Sequence, residues 1–300
     1  MVNVENQFTF LEYRRLQERQ HMDRVDKRSP LSSILTVEVN TTELCNRTCV
    51  FCPRHDPKLF PNRNLHMSPN GADLIASKLE GLYVGKISLS GFGENLLNPR
   101  FPEIVAAFRG RLPTNIIECN TNGDRLTAGV VKSLFDSGLS FLYINLYDGV
   151  HQIDKFEEIM AGYEVNRHYK YRMHWDGADH GVILNNRSGM VQWLESGDSN
   201  VESLKGTPCY YPFYKMFVDW NGDVLFCSND WGREQVVGNL MNDSLHDVWF
   251  SKPLRKLRRR LAKGDRSQSP CNKCSVKGTL FGQESFEVIN NYEARQVDRQ

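Results

Sequence analysis

The chain has 300 residues, 40% of them hydrophobic and 24% charged, so it can bury the core of one large domain and a small one. A formal net charge of +1 gives no bulk attraction to a polyanion, which disfavours nucleic acid as a partner. No run reaches the roughly eighteen apolar residues of a membrane span, and residues 1–29 lack the apolar centre of a signal peptide. We therefore expect a cytoplasmic protein without membrane attachment, whose eight cysteines are metal ligands rather than disulfides.

Hydrophobic periodicity predicts an N-terminal helix followed by strands that alternate with helices. The first helix, over residues 5–28, is rich in Arg and Glu, and we expect it to pack outside the main domain without carrying chemistry. The alternation that follows indicates a parallel sheet wound in right-handed units. Predicted strands cover residues 35–40, 86–90, 115–120, 141–147, 169–175 and 181–184, and helices lie near 68–82, 100–109 and 128–137.

Three thiols follow the first predicted strand at the spacing C-x3-C-x2-C. They are Cys45, Cys49 and Cys52. Three thiolates on one loop can hold three irons of a [4Fe–4S] cluster and leave the fourth iron open, and Phe51 would cover such a cluster. Zinc or a chance grouping is the weaker interpretation, because zinc sites usually take four protein ligands.

Two loops at the ends of later strands carry polar and glycine residues. Gly91-Phe92-Gly93-Glu94 follows the second strand and offers close backbone approach beside a carboxylate, while Thr121-Asn122-Gly123-Asp124 follows the third. Taken alone, each is equally typical of a plain turn. Both lie at strand C-termini, on the same face as the cysteines, and this position favours a shared binding site.

A second set of four cysteines occupies the last hundred residues. Cys227 ends a predicted hairpin whose strands, residues 216–220 and 224–227, flank the turn Asn221-Gly222. A helix over residues 254–263 then precedes a C-x2-C pair. Four thiolates close every coordination position, and tetrahedral sulfur suits zinc and iron–sulfur clusters alike. The full set is Cys209, Cys227, Cys271 and Cys274.

Together these motifs resemble the radical S-adenosylmethionine (SAM) superfamily. The second cysteine set is similar to the twitch domain, a shortened SPASM domain that holds one auxiliary [4Fe–4S] cluster. The resemblance implies an α/β fold, a partial (β/α)6 radical SAM barrel followed by a small hairpin-plus-helix twitch domain. It divides the chain into an N-terminal extension (1–33), the barrel (34–200), the twitch domain (205–280) and a C-terminal tail (281–300).

The resemblance also assigns ligands and chemistry. SAM would chelate the open iron at Cys45, Cys49 and Cys52 and be cleaved to a 5′-deoxyadenosyl radical, with a donor such as flavodoxin or ferredoxin supplying the electron. The second cluster, held by the other four cysteines, would accept an electron from the substrate. Residues 35–276 are similar to the twitch dehydrogenases, which implies oxidation of a hydroxyl-bearing carbon of a sugar or aminocyclitol to a ketone. SAM would contact Phe51, Gly91, Gly93, Glu94, Thr121 and Asn122.

Three further residues are candidate catalytic groups. Arg187 lies in a segment that lines the substrate pocket of the resembling enzymes, although a salt-bridge role is equally compatible with it. His174 is a candidate base for the hydroxyl proton, as are His168, His180, Asp176 and Asp179; each alone is otherwise solvated or structural. Strand alternation puts Cys119 on the same face as Thr121. It is either a small core residue or a hydrogen-atom donor to a substrate radical.

Three other functions remain open from the sequence. Related radical SAM enzymes epimerise sugars or aminoglycosides by quenching a radical from a cysteine thiol, which is the role that Cys119 would serve. Larger relatives with SPASM domains modify ribosomal peptides, and the N-terminal extension is too short for their leader-binding domain. An iron–sulfur electron carrier or a zinc-stabilised scaffold would leave the Gly91 and Asn122 loops unexplained.

Overall fold

The residues that the structure describes form one continuous eight-stranded sheet with helices around it. The structure, a computed structural model, describes residues 10–24, 29–174, 184–191 and 201–297. The strands in these residues are β1 Thr36–Val39, β2 Lys86–Leu89, β3 Ile116–Thr121, β4 Phe141–Leu146, β5 Tyr169–Met173, β6 Lys215–Val218, β7 Asp223–Leu225 and β8 Val236–Asn239. The helices are α1 Phe10–Met22, α2 Pro69–Ser77, α3 Phe101–Arg111, α4 Ala128–Asp136, α5 Gln152–Ile159, α6 Tyr211–Tyr214, α7 Leu245–Trp249, α8 Lys252–Ala262 and α9 Gln283–Val297.

The strand order is β5-β4-β3-β2-β1-β6-β7-β8. Strands β1 to β5 are parallel neighbours, β6 pairs parallel with β1, and β7 and β8 continue antiparallel. The α/β class, the parallel sheet and the hairpin are therefore confirmed. The sixth predicted strand lies mostly outside the described residues, because only its last residue, Leu184, is described.

Alternation along the parallel strands separates an apolar outer face from a polar inner one. Outward residues such as Ile87, Ile117 and Ile144 belong to the core that the flanking helices cover. The residues between them face a cavity inside the curved sheet and are polar or charged, namely Glu38, Lys86, Ser88, Glu118, Asn120, Tyr143, Asn145, Arg172 and Lys215. The barrel interior is thus a polar binding space whose walls are held by an apolar shell.

Helix α1 closes the end of this space opposite the strand C-termini. The Tyr13 ring stacks on Phe141 with centroids 6.1 Å apart, and Lys86 Nζ donates to Gln17 Oε1 at 2.8 Å. Arg14 lines the cavity itself. The helix thus packs across the N-terminal ends of the strands, and its inward side carries residues that cover them. None of the described helices is long and apolar enough to span a membrane.

A buried ion pair lies at the base of the cavity. Lys86 Nζ is 2.9 Å from Glu118 Oε2, and both side chains are less than a tenth exposed. Burial lowers the pKa of Lys86. Removing Lys86 leaves the Glu118 carboxylate without its partner in a desolvated site. Lys86→Met is therefore expected to reduce the free energy of unfolding by about 3 to 5 kcal/mol.

Denaturant unfolding of the protein without cofactors measures this loss, with Lys86→Met/Glu118→Leu as the matched control. The double variant removes both charges and is expected to recover most of the stability. A double variant less stable than Lys86→Met would contradict this account of the pair.

Candidate active site

The cavity inside the sheet has a volume of about 330 Å³. Its walls include the first cysteine loop, the loops after β2 and β3, and the described segment 184–187. Residues from both predicted domains reach it, since Ser228 and Lys277 also line it. The structure therefore brings the three motifs after β1, β2 and β3 to one space, as predicted.

The first three cysteines stand on a loop whose N-terminal part is anchored by hydrogen bonds and ion pairs. Asn62 receives the Cys45 N–H at 2.9 Å and donates to the Cys45 carbonyl at 3.0 Å. The Arg47 guanidinium bridges Asp124 and Asp148, at 2.6 and 2.7 Å, and so ties this loop to the loops after β3 and β4. These anchors fix the loop before any metal binds.

Burial leaves the three thiols neutral in the metal-free protein. It raises the pKa of Cys45 and Cys52, and burial together with the neighbouring thiols raises the pKa of Cys49 to about 12. Iron binds thiolates, so loading the site releases these protons. All three side chains line the cavity.

Glu94 is a buried carboxylate with one hydrogen-bonding position left open. Its Oε1 accepts from the Thr121 hydroxyl at 2.7 Å and from Leu96 N at 3.1 Å, and its Oε2 accepts from Asn122 N at 2.8 Å. Burial raises its pKa. A carboxylate offers about four acceptor positions, so one remains for a donor from the cavity.

The glycines of the loop after β2 are required by close packing. A Cβ at Gly93 would lie 2.1 Å from the Thr42 carbonyl oxygen, and one at Gly91 would lie 2.7 Å from the Asn40 Cβ. Phe92 N and Gly93 N donate to Asn40 Oδ1 at 3.0 and 3.2 Å. The Phe92 ring packs in an aromatic cluster with Phe60 and Trp231.

An aromatic stack stands beside the first cysteine loop. The Phe51 ring lies over His174 at 5.5 Å between centroids, and Tyr147 contacts both rings. His174 Nε2 is 3.1 Å from Asn145 Oδ1, while the Asn145 amide nitrogen donates to the Thr121 carbonyl at 2.8 Å. That second bond fixes the amide orientation, so the neutral imidazole carries its proton on Nε2 and its lone pair on Nδ1.

The four C-terminal thiols lie within electrostatic range of one another. Burial, and after it the charges of the other three thiols of the set, raise the pKa of Cys227 well above its usual value. Burial raises the pKa of Cys209 to about 11. Within the described ranges, no group of three or more His, Cys, Asp or Glu side chains is drawn together closely enough to hold a single metal ion.

Arg187 lies between the two cysteine sets. Its positive charge acts on the thiols of both Cys52 and Cys274. Its backbone φ of 49° and the φ of 55° at Ser188 are in the left-handed region, which non-glycine residues adopt only when their surroundings hold them there. Its Nε is buried and finds no hydrogen-bond partner in the part of the chain that the structure describes.

Residues 39–170 match the radical SAM superfamily, and residues 209–275 match SPASM, an iron–sulfur cluster-binding domain. The chain is a radical SAM enzyme with a C-terminal SPASM domain. Radical SAM enzymes require SAM and a [4Fe–4S] cluster, and SPASM domains bind auxiliary clusters. The two cysteine sets fit these groups, because the first offers three ligands beside a cavity and the second offers four half-buried thiols within electrostatic range of one another.

Known proteins resemble this radical SAM enzyme over most of its length. The SAM-dependent 2-deoxy-scyllo-inosamine dehydrogenase of Niallia circulans is 27% identical over 253 residues, which cover 82% of this chain and 95% of the relative. The crystal structure of BtrN with AdoMet and 2-DOIA has a TM-score of 0.69 at 25% identity and covers 83% and 96% of the two chains. Streptococcus suis SuiB bound to its precursor peptide SuiA shares the fold, with a TM-score of 0.51 at 16% identity over 91% and 76% of the chains.

The radical SAM and SPASM regions are joined by Asn186. Its N–H donates to Ser275 Oγ at 2.9 Å, its side-chain amide donates to the Lys273 carbonyl at 2.7 Å, and its Oδ1 accepts from Ser275 N at 3.0 Å. Asn186 is fully buried. These bonds hold the turn that carries Arg187 against the Cys271–Lys273 turn of the SPASM domain.

A further arginine beside the SPASM cysteines, Arg266, was not among the site residues predicted from the sequence. Arg266 donates to the carbonyls of Thr207, Pro208 and Val276 at 3.0 to 3.2 Å. Its charge lowers the pKa of Cys209, Cys271 and Cys274, against the larger effect of burial. A single Arg in a polar stretch of sequence shows no pattern from which its bonds to three backbone carbonyls could be predicted.

The structure corrects the placement of Cys119. Its side chain is fully buried in the apolar core on the helix side of β3, and burial raises its pKa well above the usual value. Its neighbours Glu118 and Asn120 line the cavity and Cys119 does not. The expectation that it shares the face of Thr121 is wrong, because Thr121 ends the strand and turns its hydroxyl to Glu94.

The other candidate bases are placed as follows. His168 accepts from Glu164 N at 3.0 Å and packs on Phe135 and Tyr163, away from the cavity lining. Asp176, Asp179 and His180 lie outside the described residues. Of the described candidates, His174 alone lines the cavity.

Proposed function

We propose that this radical SAM enzyme oxidises a hydroxyl-bearing carbon of a sugar- or aminocyclitol-like small molecule to a ketone. The observation that supports it best is the placement of Arg187, on the cavity wall and within electrostatic range of both cysteine sets. A substrate beside Arg187 would have the radical-generating site on one side and an electron acceptor on the other. The likeness to a dehydrogenase over 95% of that relative's length supports the same reaction.

Each of the two cysteine sets would hold one cluster, and only the first set lines the cavity. Cys45, Cys49 and Cys52 would hold the first cluster, and the four SPASM cysteines the second. When bound, SAM with the first cluster supplies a hydrogen-abstracting radical, and the second cluster supplies a one-electron acceptor. The open acceptor position of Glu94 would receive the SAM ammonium group, and the close backbone at Gly91 and Gly93 would admit its methionine part.

The loop after β3 has a further role in this proposal. Thr121 and Asn122 orient the Glu94 carboxylate by donating hydrogen bonds to it. The Asn122 side-chain amide also donates to Asn46 Oδ1 at 2.9 Å. We place the SAM ribose beside this loop. Phe51 would cover the first cluster while its ring stacks on His174.

Two side chains would handle the substrate. The Arg187 guanidinium would hold its hydroxyls, using the Nε that lacks a partner among the described residues. His174 would take the hydroxyl proton on Nδ1, because Asn145 keeps the other ring proton on Nε2. Oxidation then removes a hydrogen atom from carbon, a proton from oxygen to His174, and one electron to the acceptor, which leaves the carbonyl.

We further propose that a small reducing protein such as flavodoxin or ferredoxin docks beside the first cysteine loop. Val50 and Leu59 are more than half exposed there, and the exposed Lys58 and Arg63 add positive charge that suits an acidic partner. Eight free cysteines, none of them paired, support a reducing cytoplasmic location.

The test of dehydrogenation uses the anaerobically reconstituted enzyme with SAM, a chemical reductant and 2-deoxy-scyllo-inosamine, followed by a panel of sugars and cyclitols. We expect ketone and 5′-deoxyadenosine in equal amounts, and deuterium transfer from the oxidised carbon into 5′-deoxyadenosine. A product with inverted configuration and no ketone would overturn the proposal in favour of epimerisation. The placement of Cys119 in the core removes the thiol on which that alternative depended.

A further inference from the structure

One side of helix α8 presents positive charge and no negative charge to solvent. The helix and its C-terminal cap contain no Asp or Glu, and the opposite side of the helix is buried through Leu254, Leu257 and Leu261. The exposed basic residues recur at intervals of three and four, so they form one stripe along the helix. We call this stripe the α8 face, and its residues are Lys252, Arg255, Lys256, Arg259 and Lys263.

Few carboxylates neutralise the α8 face. Arg259 is 3.6 Å from Glu293 Oε2, and Arg260, at the edge of the face, pairs with Asp265 at 2.8 Å. The other four cations have no carboxylate at ion-pair distance in the part of the chain that the structure describes. Like charges four residues apart destabilise a helix, and positive charge near its N-terminus opposes the helix dipole. The stability of the helix therefore does not account for the α8 face.

The α8 face lies beside the SPASM cysteines. The Leu261 carbonyl, in the last turn of α8, accepts from Cys209 N at 3.0 Å. Arg260 is within electrostatic range of Cys271. Cys271 is only half-buried, and Lys273, two residues further along the chain, is exposed. A cluster held by these thiols would therefore stand close to the surface, next to a patch of positive charge.

The reaction proposed above needs a route by which one electron leaves the enzyme. The substrate gives up two electrons, one with the hydrogen atom abstracted from carbon and one to the SPASM cluster. A one-electron acceptor must be reoxidised before the next turnover, and its oxidant has to approach from solvent. An acidic carrier protein is attracted to the α8 face, because complementary charge accelerates encounter and orients the two partners.

We propose that a small acidic electron-carrier protein of the flavodoxin type docks on the α8 face in its oxidised form and takes one electron from the SPASM cluster. This inference rests on the proposed function, in which substrate oxidation delivers that electron. The cluster loses one electron, and the flavin gains it with a proton from solvent to become the semiquinone. The α8 face belongs to the SPASM domain, whereas the surface of Lys58 and Arg63 for the reduced carrier lies beside the first cysteine loop. Electrons thus enter and leave the chain at different surfaces.

Electron transfer from the reduced enzyme measures this route without SAM or substrate. The reconstituted enzyme with both clusters is reduced by dithionite, freed of excess reductant and mixed rapidly with oxidised flavodoxin. The absorbance of the flavin semiquinone is expected to rise in two phases, one for each cluster. Electron paramagnetic resonance of samples frozen during the reaction assigns each phase to its cluster. The phase of the SPASM cluster is expected to slow as ionic strength rises, because salt screens the attraction.

Charge reversal on the α8 face tests the surface. Arg255→Glu/Lys256→Glu is expected to slow the SPASM phase by at least about tenfold at low ionic strength, since electrostatic steering changes association rates by roughly ten- to a thousandfold. Both substitutions place a carboxylate four residues before an arginine, Arg259 or Arg260, which is an arrangement that stabilises helices. The loss is therefore not an effect of unfolding. Arg255→Gln/Lys256→Gln should produce a smaller loss.

Two other pairs of substitutions serve as controls. Lys132→Glu/Lys155→Glu makes the same change of net charge at exposed positions of α4 and α5, and it should leave both phases nearly unchanged. Lys58→Glu/Arg63→Glu should slow only the phase of the first cluster. Iron content and melting temperature of each variant show whether both clusters and the fold are intact.

Three outcomes would overturn the inference. They are an unchanged SPASM phase in Arg255→Glu/Lys256→Glu, an equal slowing in Lys132→Glu/Lys155→Glu, and binding of duplex DNA or RNA that only the α8 substitutions abolish while the SPASM phase stays unchanged. The last of these would assign the α8 face to nucleic acid. Electron transfer through the α8 face without any ketone from the substrate panel would leave the inference standing while dehydrogenation fails. A ketone formed by an enzyme whose SPASM phase is indifferent to the α8 substitutions would do the reverse.

Discussion

Replacing Cys45, Cys49 and Cys52 together by alanine is expected to abolish SAM cleavage while roughly four irons and four sulfides per chain remain. The first set is the only candidate site beside the Glu94 loop among the described residues, so its loss removes the chemistry that SAM needs. The SPASM thiols stand on separate segments, around α8 and the Cys271–Lys273 turn, and the thiol charges that act on Cys227 are those of its own set. The two sites should therefore load independently.

The measurement is iron, sulfide and zinc content after anaerobic reconstitution, together with 5′-deoxyadenosine formation. Cys119→Ala is the matched control, because it removes a thiol that lies in the apolar core and belongs to neither set. It should retain full iron content and SAM cleavage. If the triple variant contained zinc in place of iron, the SPASM site would have no redox role, and a redox-neutral reaction would become the better interpretation.

The parts of the fold that sequence predicted are those set by local physics. The predicted helix near 68–82 begins with Ser68 and Pro69, residue types that favour a helix start, and the Ser68 hydroxyl accepts from Gly71 N at 3.1 Å. The turn Asn221-Gly222 required a positive φ, which Gly222 adopts at 85°. The cysteine spacings were equally local, so both sets could be found before their surroundings were known.

The charged floor of the cavity could not be predicted in the same way. Arg14 looked like one charge among many on a solvated helix, and its inward direction depends on how α1 crosses the strand ends. Arg172 and Glu118 alternate with apolar residues, as charged residues do on any half-exposed strand. Only the curvature of the sheet brings their side chains into one cavity. The prediction that Cys119 shares a face with Thr121 was wrong for a related reason. The alternation of side chains no longer holds where β3 ends at Thr121.

The position of Arg187 shows how the two domains depend on each other. The turn that carries it has three successive residues at positive φ, Arg187, Ser188 and Gly189. The bonds of Asn186 to Lys273 and Ser275 hold that turn on the SPASM domain. The SPASM domain thus shapes the wall of the radical SAM cavity in addition to binding its own cluster, and damage to it should alter the handling of the substrate.

Cys227→Ala is accordingly expected to separate SAM cleavage from substrate oxidation. Cys227 lies among the other three SPASM thiols, and its loss opens the second site while the first loop and Glu94 keep their contacts. Ketone formation is expected to fall by roughly a hundredfold or more, which corresponds to about 2.7 kcal/mol in the barrier. 5′-Deoxyadenosine should still form, because cleavage of SAM depends on the first set.

The informative quantity is the ratio of ketone to 5′-deoxyadenosine, since a general loss of folding lowers both together. Cys119→Ala again serves as the control and should keep the ratio of the unmodified enzyme. Arg266→Gln provides a second perturbation of the SPASM site, because it removes the three carbonyl contacts around Cys209 without removing a thiol. An unchanged ratio in Cys227→Ala would mean that the substrate electron leaves by another route, and the SPASM cluster would then be structural.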